Sequence, residues 1–231
     1  MHPYRSERGF SGTLAAVLFD MDGTLVDSDA AVDRSWTAWA REYGVDPALP
    51  LAIATGHPAA DTVAKILAGQ SPETIAAAAA RQLALEYDDL TGVVATDGAH
   101  DLLRALAQRG IPWAVVTSAD LRLAKIRLGA AGICAPILVT TDDVARGKPD
   151  PAGYLLAAEL LGVECEHCLV VEDAEPGVAA GRAAGAMVAA LKNLPGDLRI
   201  ESLRQIIELI EALDGQGVQS GQGTRAGEPP A

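Results

Sequence analysis

Five short apolar runs constrain the fold of this chain more than any other feature of its sequence. They are Ala15–Phe19, Trp113–Thr117, Ile137–Thr140, Cys168–Val171 and Met187–Leu191. Such short, continuously apolar runs are typical of strands that are buried on both faces of a parallel sheet. Helical periods of crossover length separate the last four runs, over Leu121–Ala130, Ala152–Leu161 and Pro176–Ala184. Because strand–helix–strand crossovers are right-handed, the sequence predicts an α/β fold with an open, doubly wound, Rossmann-like parallel sheet.

The interval between the first two runs is different, because about ninety residues separate Phe19 from Trp113, far more than one crossover helix needs. Almost the whole interval has helical patterning. Trp36 and Trp39 lie on one apolar helix face there, and we interpret them as core residues rather than as a ligand platform. We therefore predict a small helical domain inserted after the first strand.

These elements predict the organisation of the whole chain. A flexible N-terminus precedes a sheet core, a helical cap interrupts that core, and a tail rich in Gly, Gln and Pro is predicted to be disordered. The boundaries are 1–13 for the N-terminus, 14–28 and 91–213 for the core, 29–90 for the cap and 214–231 for the tail. We expect the cap to move by flexing the linkers Val26–Asp29 and Gly92–Asp97.

Charge and hydropathy exclude several classes of partner. The chain has 31 acidic and 18 basic residues, a formal charge of −13, and no lysine–arginine cluster that would attract nucleic acid or an anionic membrane. No window approaches the ~20 uncharged apolar residues of a membrane-spanning helix. We therefore expect a cytoplasmic protein, a monomer or a dimer, that binds neither nucleic acid nor a membrane.

The three cysteines do not form a disulfide framework. Cys165 and Cys168 make a Cys-x-x-Cys pair with His167 between them. A structural zinc site would need a second ligand pair at similar spacing, and the sequence has none. The pair is interpreted either as small residues that flank a buried strand or as a metal or redox motif.

The segment Asp20-Met21-Asp22-Gly23-Thr24 follows the first strand directly. Ligands of open α/β sheets bind outside the carboxyl ends of the strands, where this segment begins. Gly23 permits a sharp turn that can aim the carboxylates of Asp20 and Asp22 into one cleft. The alternative is an Asp-Gly β-turn with acidic residues on the surface.

The later strands end in matching chemistry. Thr117 and Ser118 end or follow the second run, and their hydroxyls can hold a phosphoryl oxygen near a helix N-terminus. Lys148 lies between a glycine and a proline just before a helix, and Glu172 and Asp173 follow the fourth run. Carboxylates alone repel a phosphate ester, so a divalent cation and Lys148 are needed to bring such a site near neutrality. Magnesium suits an all-oxygen set of ligands.

In order and spacing, these four blocks resemble the four motifs of the haloacid dehalogenase superfamily hydrolases, and the predicted cap resembles the small α-helical cap of that family. The resemblance covers residues 15–193. Segments 110–118 and 146–151 are most similar to broad-specificity sugar-phosphate phosphatases, near the glycerol-phosphate phosphatases. The resemblance implies a Mg²⁺-dependent phosphatase that hydrolyses a small phosphorylated metabolite, a sugar or a polyol.

The resemblance also implies roles for the two aspartates of the first motif. Asp20 resembles the nucleophile that becomes an aspartyl phosphate. Asp22 resembles the acid that protonates the leaving oxygen and then the base that activates water, with its backbone carbonyl on the metal. True dehalogenases of the superfamily lack this second aspartate, so Asp22 indicates phosphoryl chemistry. Lys65, the lysine of the predicted cap, has no supporting motif for phosphonate hydrolysis and is interpreted as a solvated helix residue.

The remaining motif residues resemble the phosphate and metal sites of the family. Thr117, Ser118 and Lys148 would stabilise the transferring phosphoryl oxygens. Asp173 would ligate Mg²⁺ together with the two aspartates of the first motif. Glu172 would either ligate the metal or support its ligands from behind.

The predicted cap leaves the substrate open. Gly56 and His57 fall where related enzymes carry a loop that determines substrate specificity, but related sugar and glycerol phosphatases tend to have Lys or Arg after the glycine. His57 is interpreted either as a specificity residue or as an ordinary turn residue. Two other functions remain as alternatives. One is a sugar phosphomutase of the β-phosphoglucomutase type, and the other is a non-catalytic phosphate-binding protein of the same fold.

Overall fold

The computed structural model describes residues 14–219, with side chains through Leu213, so the predicted flexible N-terminus, residues 1–13, lies outside the described residues. Its strands are β1 (Ala16–Phe19), β2 (Val26–Asp27), β3 (Val94–Ala95), β4 (Trp113–Val116), β5 (Leu138–Val139), β6 (Cys168–Glu172), β7 (Met187–Ala190) and β8 (Leu198–Arg199). Its helices are α1 (Asp29–Glu42), α2 (Ala48–Ile53), α3 (Ala59–Ile66), α4 (Pro72–Asp88), α5 (Ala99–Arg109), α6 (Leu121–Ala130), α7 (Ala152–Leu161), α8 (Glu175–Ala183) and α9 (Arg204–Gln219).

The central sheet confirms the predicted doubly wound α/β fold. Within the described residues, six parallel strands lie in the order β5-β4-β1-β6-β7-β8. β1 lies in the middle, where Val17 pairs with Trp113 of β4 on one side and with Leu169 of β6 on the other. Each of the five predicted runs contains a strand of this sheet. β8 is an additional strand, too short to produce an apolar run of its own.

Two apolar layers hold the sheet between its helices. Because side chains alternate along a strand, Phe19 and its neighbour Leu18 point to opposite faces. Phe19 belongs to a buried cluster that includes residues of α5, α6 and α9, and Leu18 belongs to one that includes residues of α7 and α8. Both faces of β1 are therefore covered, which explains why every residue of the strand is apolar.

Helices α1–α4, which we call the helical insertion, have a small core of their own. Trp36 and Trp39 are buried in it with an edge-on ring contact of 5.4 Å, and the Trp39 ring stacks on Tyr43 at 4.9 Å. The Trp39 indole donates a hydrogen bond of 2.9 Å to the carbonyl of Ala78 in α4. These contacts confirm that the tryptophans are core residues.

Two short strands connect the insertion to the sheet. β2 precedes α1 and β3 follows α4, and they pair antiparallel with Val26 opposite Ala95. The Thr96 amide extends this contact by donating to the Leu25 carbonyl at 3.0 Å. The sequence analysis missed both strands, because two residues are too few to interrupt a helical pattern.

The last helix, α9, continues to Gln219. It therefore enters the segment 214–231 that the sequence predicts to be disordered, and the rest of that segment lies outside the described residues. None of the described helices combines the length and the apolar character needed to cross a lipid bilayer.

Cys165 and Cys168 are free thiols, both buried at the start of β6. The Cys165 thiol contacts the Tyr154 carbonyl at 3.9 Å, and the Cys168 thiol contacts the Glu164 carbonyl at 3.5 Å. In the part of the chain that the structure describes, neither cysteine belongs to a group of three possible metal ligands. This environment favours the interpretation of the pair as small residues that flank a buried strand.

Candidate active site

The carboxyl edge of the sheet brings the predicted motif residues together. Asp20 follows β1, Thr117 follows β4, and Glu172 ends β6 with Asp173 directly after it. Lys148 reaches the same place from the loop before α7. All five residues are buried, with between 0% and 7% of their surface exposed. The helical insertion covers this edge, and a cavity of about 100 Å³, which we call the cleft, lies between the two.

A tight turn after β1 brings the first motif against the last. The Met21 carbonyl accepts hydrogen bonds of 2.9 Å from the amides of both Leu25 and Val26. Gly23 lies in this turn with a positive φ of 81°, and a β-carbon there would lie 2.0 Å from Oδ2 of Asp173. Glycine is therefore required at this position both for its backbone conformation and for the close approach.

Lys148 contacts two buried carboxylates at once. Its Nζ lies 2.5 Å from Oδ1 of Asp20 and 2.6 Å from Oε1 of Glu172. Burial by itself would lower the pKa of Lys148, but the two carboxylates outweigh burial and raise the pKa above its ordinary value. The ammonium group therefore stays charged, as a buried partner of two acids must.

Each carboxylate oxygen of Glu172 already has two donors. Oε1 accepts hydrogen bonds from Lys148 and from the Tyr154 hydroxyl, at 2.6 and 2.8 Å. Oε2 accepts from the backbone amides of Asp173 and Ala174, at 3.0 and 3.1 Å. Four donors fill the acceptor capacity of a carboxylate. This geometry suits a residue that orients Lys148 and Asp173 better than it suits a direct metal ligand.

Asp20, Glu172 and Asp173 form an acidic cluster in which one carboxylate oxygen of each lies within 4.8 Å of the others. Burial raises the pKa of Asp20 well above its ordinary value, and Lys148 opposes this rise. Burial also raises the pKa of Asp173 to about 6, with Glu172 adding to the rise and Lys192 opposing it. Such raised pKa values mean that the neighbouring lysines compensate the buried negative charge incompletely.

The cluster fits a hard divalent cation. Oδ2 of Asp173 is buried and accepts no aligned hydrogen bond from the described residues, although Nζ of Lys192 lies 2.9 Å away. Oδ1 of Asp173 has a long contact of 3.5 Å from the Thr24 hydroxyl. Carboxylate oxygens with spare acceptor capacity are the ligands that Mg²⁺ prefers. Asp20 and Asp173 are therefore the side chains that could hold such an ion.

Asp22 has a different set of partners. Its Oδ1 accepts a hydrogen bond of 2.6 Å from the Ser28 hydroxyl, and its Oδ2 accepts one of 3.0 Å from Nη1 of Arg127. Ser28 directly precedes α1 and Arg127 lies on α6, so the start of the insertion and a helix of the core together fix this side chain. Asp22 lines the cleft together with Asp20.

Thr117 and Ser118 also line the cleft. Oγ1 of Thr117 accepts a hydrogen bond of 3.1 Å from the Ala119 amide, so its own proton remains available to a ligand. The Ser118 hydroxyl donates a hydrogen bond of 3.0 Å to the carbonyl of Gly56 in the insertion. Ser118 therefore joins the sheet edge to the loop that covers it.

The loop at Gly56 lies directly on the sheet core. Gly56 has a positive φ of 75°, and a β-carbon there would lie 2.6 Å from the β-carbon of Ala174. Nδ1 of the following residue, His57, contacts the Thr55 carbonyl at 3.1 Å. Gly56 and His57 both line the cleft.

The sequence analysis missed several polar residues of the site, namely Ser28, Glu86, Arg127, Tyr154 and Lys192. Glu86 and Arg127 each occupy the buried face of a helix, where an apolar residue is expected. A charged residue at such a position is a usable signal, because helical spacing identifies the buried face. Lys192 carries no comparable signal, since it lies in a loop after β7 with an uncommon positive φ of 51°.

Residues 14–185 match the family model described as haloacid dehalogenase-like hydrolase. Hexitol phosphatase A of Escherichia coli (strain K12) is 43% identical over 198 residues, which cover 85% of this chain and 91% of that protein. Validoxylamine A 7'-phosphate phosphatase of Streptomyces hygroscopicus subsp. limoneus is 39% identical over 175 residues, which cover 73% of this chain and 81% of that protein.

Solved structures share the fold. β-Phosphoglucomutase from Clostridium difficile matches with a TM-score of 0.79 over 90% of this chain and 100% of that chain, at 19% identity, a likeness that concerns the fold alone. A HAD family hydrolase from Deinococcus radiodurans R1, with bound phosphate and sodium, matches with a TM-score of 0.60 at 30% identity, over 89% of this chain and 97% of that chain.

Proposed function

Since this chain belongs to the haloacid dehalogenase-like hydrolases and is a phosphoric monoester hydrolase, we propose that it cleaves a small phosphorylated sugar or polyol with Mg²⁺ through an aspartyl phosphate on Asp20. The observation that carries the proposal is the buried contact of 2.5 Å between Lys148 and Asp20, the latter of which lines the cleft together with Asp173. A carboxylate that attacks a phosphate dianion needs positive charge at the point of attack, which Lys148 supplies and a bound divalent cation would increase.

In the first step a carboxylate oxygen of Asp20 forms a bond to phosphorus while the bond from phosphorus to the leaving oxygen breaks. Asp22 gives its proton to that leaving oxygen, so the alcohol departs uncharged. Lys148 has three donors and uses two of them on Asp20 and Glu172, which leaves the third for a phosphoryl oxygen.

In the second step the Asp22 carboxylate removes a proton from water as the water oxygen attacks phosphorus. The bond from phosphorus to Asp20 breaks, inorganic phosphate leaves, and both aspartates return to their starting protonation states. The contacts of Asp22 with Ser28 and Arg127 hold its carboxylate at a fixed place during both proton transfers.

Asp20 and Asp173 are the side chains that would hold Mg²⁺, and Glu172 would orient Asp173 and Lys148. When bound, the ion draws negative charge from the phosphoryl oxygens and from the acidic cluster. Asp173 supports this assignment through the spare acceptor capacity of its buried Oδ2.

The substrate class is proposed from the relatives and from the cleft. The two relatives named above are a hexitol phosphatase and a validoxylamine A 7'-phosphate phosphatase. The loop with Gly56 and His57 closes the cleft against the sheet, where it would exclude bulk water from the aspartyl phosphate. The proposal therefore names a hydroxylated, singly phosphorylated metabolite rather than a polymer.

The test is a phosphate-release assay across phosphorylated sugars, polyol phosphates and phosphoglycolate, with Mg²⁺ or with a chelator. The proposal expects release with Mg²⁺, and loss of release by at least about 10³-fold in Asp20→Asn. Asp33→Asn is the matched control, because it makes the same change at an exposed position on α1. Acid-quenched wild-type enzyme should retain radiolabelled phosphate on Asp20, identified by mass spectrometry of the labelled peptide. Full turnover in Asp20→Asn, or turnover that a chelator leaves unchanged, would contradict the proposal.

A further inference from the structure

We propose that Glu86 and Arg127 select the leaving group of the substrate, and that they favour a neutral, hydroxyl-bearing leaving group over one that carries a carboxylate or a second phosphate. This inference rests on the proposed function, because it takes Asp22 as the acid that meets the leaving oxygen. It adds two specificity residues, one on each side of the cleft, to the reacting groups described above.

Arg127 bridges the two sides of the cleft. It lies on α6 of the core with 4% of its surface exposed, and its Nη1 lies 3.0 Å from Oδ2 of Asp22. Its Nη2 lies 3.7 Å from Oε2 of Glu86, which is buried on α4 of the insertion. Gln82, one turn earlier on α4, donates a hydrogen bond of 3.1 Å to Oε1 of Glu86 and so fixes that carboxylate. Glu86 and Arg127 both line the cleft.

The position of these residues follows from the role of Asp22. An acid that protonates the leaving oxygen must lie within hydrogen-bond distance of it. Arg127 contacts the same carboxylate of Asp22, and Glu86 lies next to Arg127. The first carbon atoms of the leaving group, and the hydroxyls on them, must therefore lie beside Glu86 and Arg127.

Arg127 has a donor that needs an acceptor. Its Nε is buried and has no hydrogen-bond partner among the described residues. A buried N–H group without an acceptor is unfavourable, and arginine has a fixed fork of donors that cannot turn the free N–H toward solvent. A hydroxyl oxygen of a substrate in the cleft would accept a hydrogen bond from the guanidinium of Arg127, and the same hydroxyl would donate one to Glu86.

The charges of the cleft oppose a second anion. Of the described residues that line the cleft, the acidic ones are Asp20, Asp22, Asp29, Glu86 and Asp173, whereas Arg127 is the one arginine or lysine. While Asp22 carries the proton that it gives to the leaving oxygen, the charge of Arg127 is matched by the carboxylate of Glu86. A carboxylate or a second phosphate on the leaving group would find no uncommitted lysine or arginine there. Val32, Trp36 and Leu83 complete this part of the cleft with apolar surface, which suits the C–H groups of a polyol.

The experiment compares Glu86→Gln and Arg127→Met with wild type on three esters. These are sorbitol 6-phosphate as the hydroxylated substrate, phenyl phosphate as a leaving group without aliphatic hydroxyls, and phosphoglycolate as a carboxylated one. In each variant, the kcat/KM for sorbitol 6-phosphate relative to phenyl phosphate should fall about tenfold or more, as expected for a lost hydrogen bond to a charged group. In Glu86→Gln, the kcat/KM for phosphoglycolate relative to sorbitol 6-phosphate should also rise about tenfold, because one negative charge is removed.

Matched controls separate specificity from general damage. Asp88→Asn and Lys125→Met make comparable changes at exposed positions on α4 and α6, and both ratios should stay within about twofold of wild type. A purely structural role for Glu86 and Arg127 would lower kcat/KM for all three esters by the same factor, and that result would overturn the inference. If Arg127→Met does not fold, Glu86→Gln decides by itself.

The two proposals fail in different ways. A wild-type enzyme that hydrolyses none of the esters would contradict the proposed function, and the inference would fall with it. The other result is a wild-type enzyme that is active with Mg²⁺. If the ratios of kcat/KM between the esters are then the same in Glu86→Gln and Arg127→Met as in wild type, the inference alone is contradicted.

Discussion

The sheet edge and the helical insertion form opposite sides of one cleft, and their polar residues are positioned differently. At the sheet edge, Asp20 and Asp173 each follow a strand directly. On the insertion, Glu86 lies within α4, on a buried helix face that it shares with two alanines and Gln82. The residues that we propose to react are therefore placed by the ends of strands, whereas those that we propose to lie beside the leaving group are placed by the buried face of a helix.

The two regions also differ in how they hold charge. The sheet edge keeps Lys148 buried against two carboxylates. The ion pairs within the insertion lie nearer to solvent, such as the pair of Arg34 and Asp89, whose side chains are 45% and 33% exposed. Buried pairs are costly to break and exposed pairs contribute little. Removing a charge should therefore have a large effect on one side of the cleft and a small effect on the other.

The largest effect is expected from Lys148→Met. The change leaves Asp20 and Glu172 buried without their shared cation, and the free energy of unfolding should fall by about 3–5 kcal/mol in the presence of a chelator. Urea denaturation measures this change. Arg146→Met is the control, because it removes a cation that is 81% exposed from the same loop and should change stability by less than about 0.5 kcal/mol. If both substitutions lowered the free energy of unfolding equally, buried and exposed charges would not differ in their contribution to stability.

Mg²⁺ should have the next largest effect, and it should act on the sheet edge. At about 100 times its dissociation constant, a bound ion adds about 2.7 kcal/mol to the free energy of unfolding, which raises the Tm of a chain of this length by about 5–10 °C. Asp173→Asn should abolish the increase, because it removes a carboxylate with spare acceptor capacity. Glu175→Gln, an exposed change two residues away, should keep it. An increase that persists in Asp173→Asn would place the ion elsewhere.

Gly56→Ala tests how closely the insertion must approach the sheet. The new methyl group would meet Ala174, and both the strained backbone and this clash should lower activity. Gly44→Ala is a matched control, because Gly44 also has a positive φ, 65°, but has no neighbouring atom within 4 Å of an added β-carbon. Both variants should lose about 1–2 kcal/mol of stability from the left-handed backbone. Only Gly56→Ala should lower kcat/KM, by about tenfold to a hundredfold. Equal kcat/KM values in the two variants would show that activity does not depend on the close contact with Ala174.

The smallest effect concerns the exposed pair on the insertion. Hydrogen bonds from Arg34 hold the pKa of Asp89 below its ordinary value. A carboxyl whose pKa is lowered by folding stabilises the protein above the unfolded pKa, near 4, and loses that contribution as the pH falls below it. Between about pH 6 and pH 3, the Tm of wild type should therefore fall slightly more than the Tm of Asp89→Asn, by an amount that corresponds to less than about 1 kcal/mol. Asp88→Asn, an exposed change at the adjacent residue, should follow wild type, and a larger fall in Asp89→Asn would reverse the assigned sign.

The sheet was predictable because its strands are buried on both faces and therefore apolar at every position. Strand ends were less predictable, and β5 illustrates the reason. The predicted run ends at Thr140, but the strand is Leu138–Val139. Both the amide and the hydroxyl of Thr140 donate hydrogen bonds to Oδ2 of Asp143, at 2.9 and 2.8 Å. This local turn removes Thr140 from the strand. Neither apolar patterning nor β propensity predicts such a side-chain hydrogen bond.

The candidate site was predictable to the extent that its residues adjoin strands. Asp20, Lys148 and Asp173 were identified because parallel strands bring their carboxyl ends to one edge. Arg127 and Glu86 were missed because their contact joins two helices far apart in the chain, and local spacing cannot show which buried polar residues face each other. Apolar patterning thus predicts the layers of a fold, whereas pairing between buried charges becomes visible only in three dimensions.

The pairing of β2 with β3 has a mechanical consequence. The chain passes from the sheet to the helical insertion through β2 and returns through β3, and the pairing of Val26 with Ala95 joins the two passages. The hydroxyl of Thr96 strengthens the junction by donating to the Thr24 carbonyl at 2.6 Å. Any displacement of the insertion must therefore bend a two-stranded ribbon rather than two separate tethers. A displaced insertion would therefore carry both of its connections to the sheet together, because they are paired with each other.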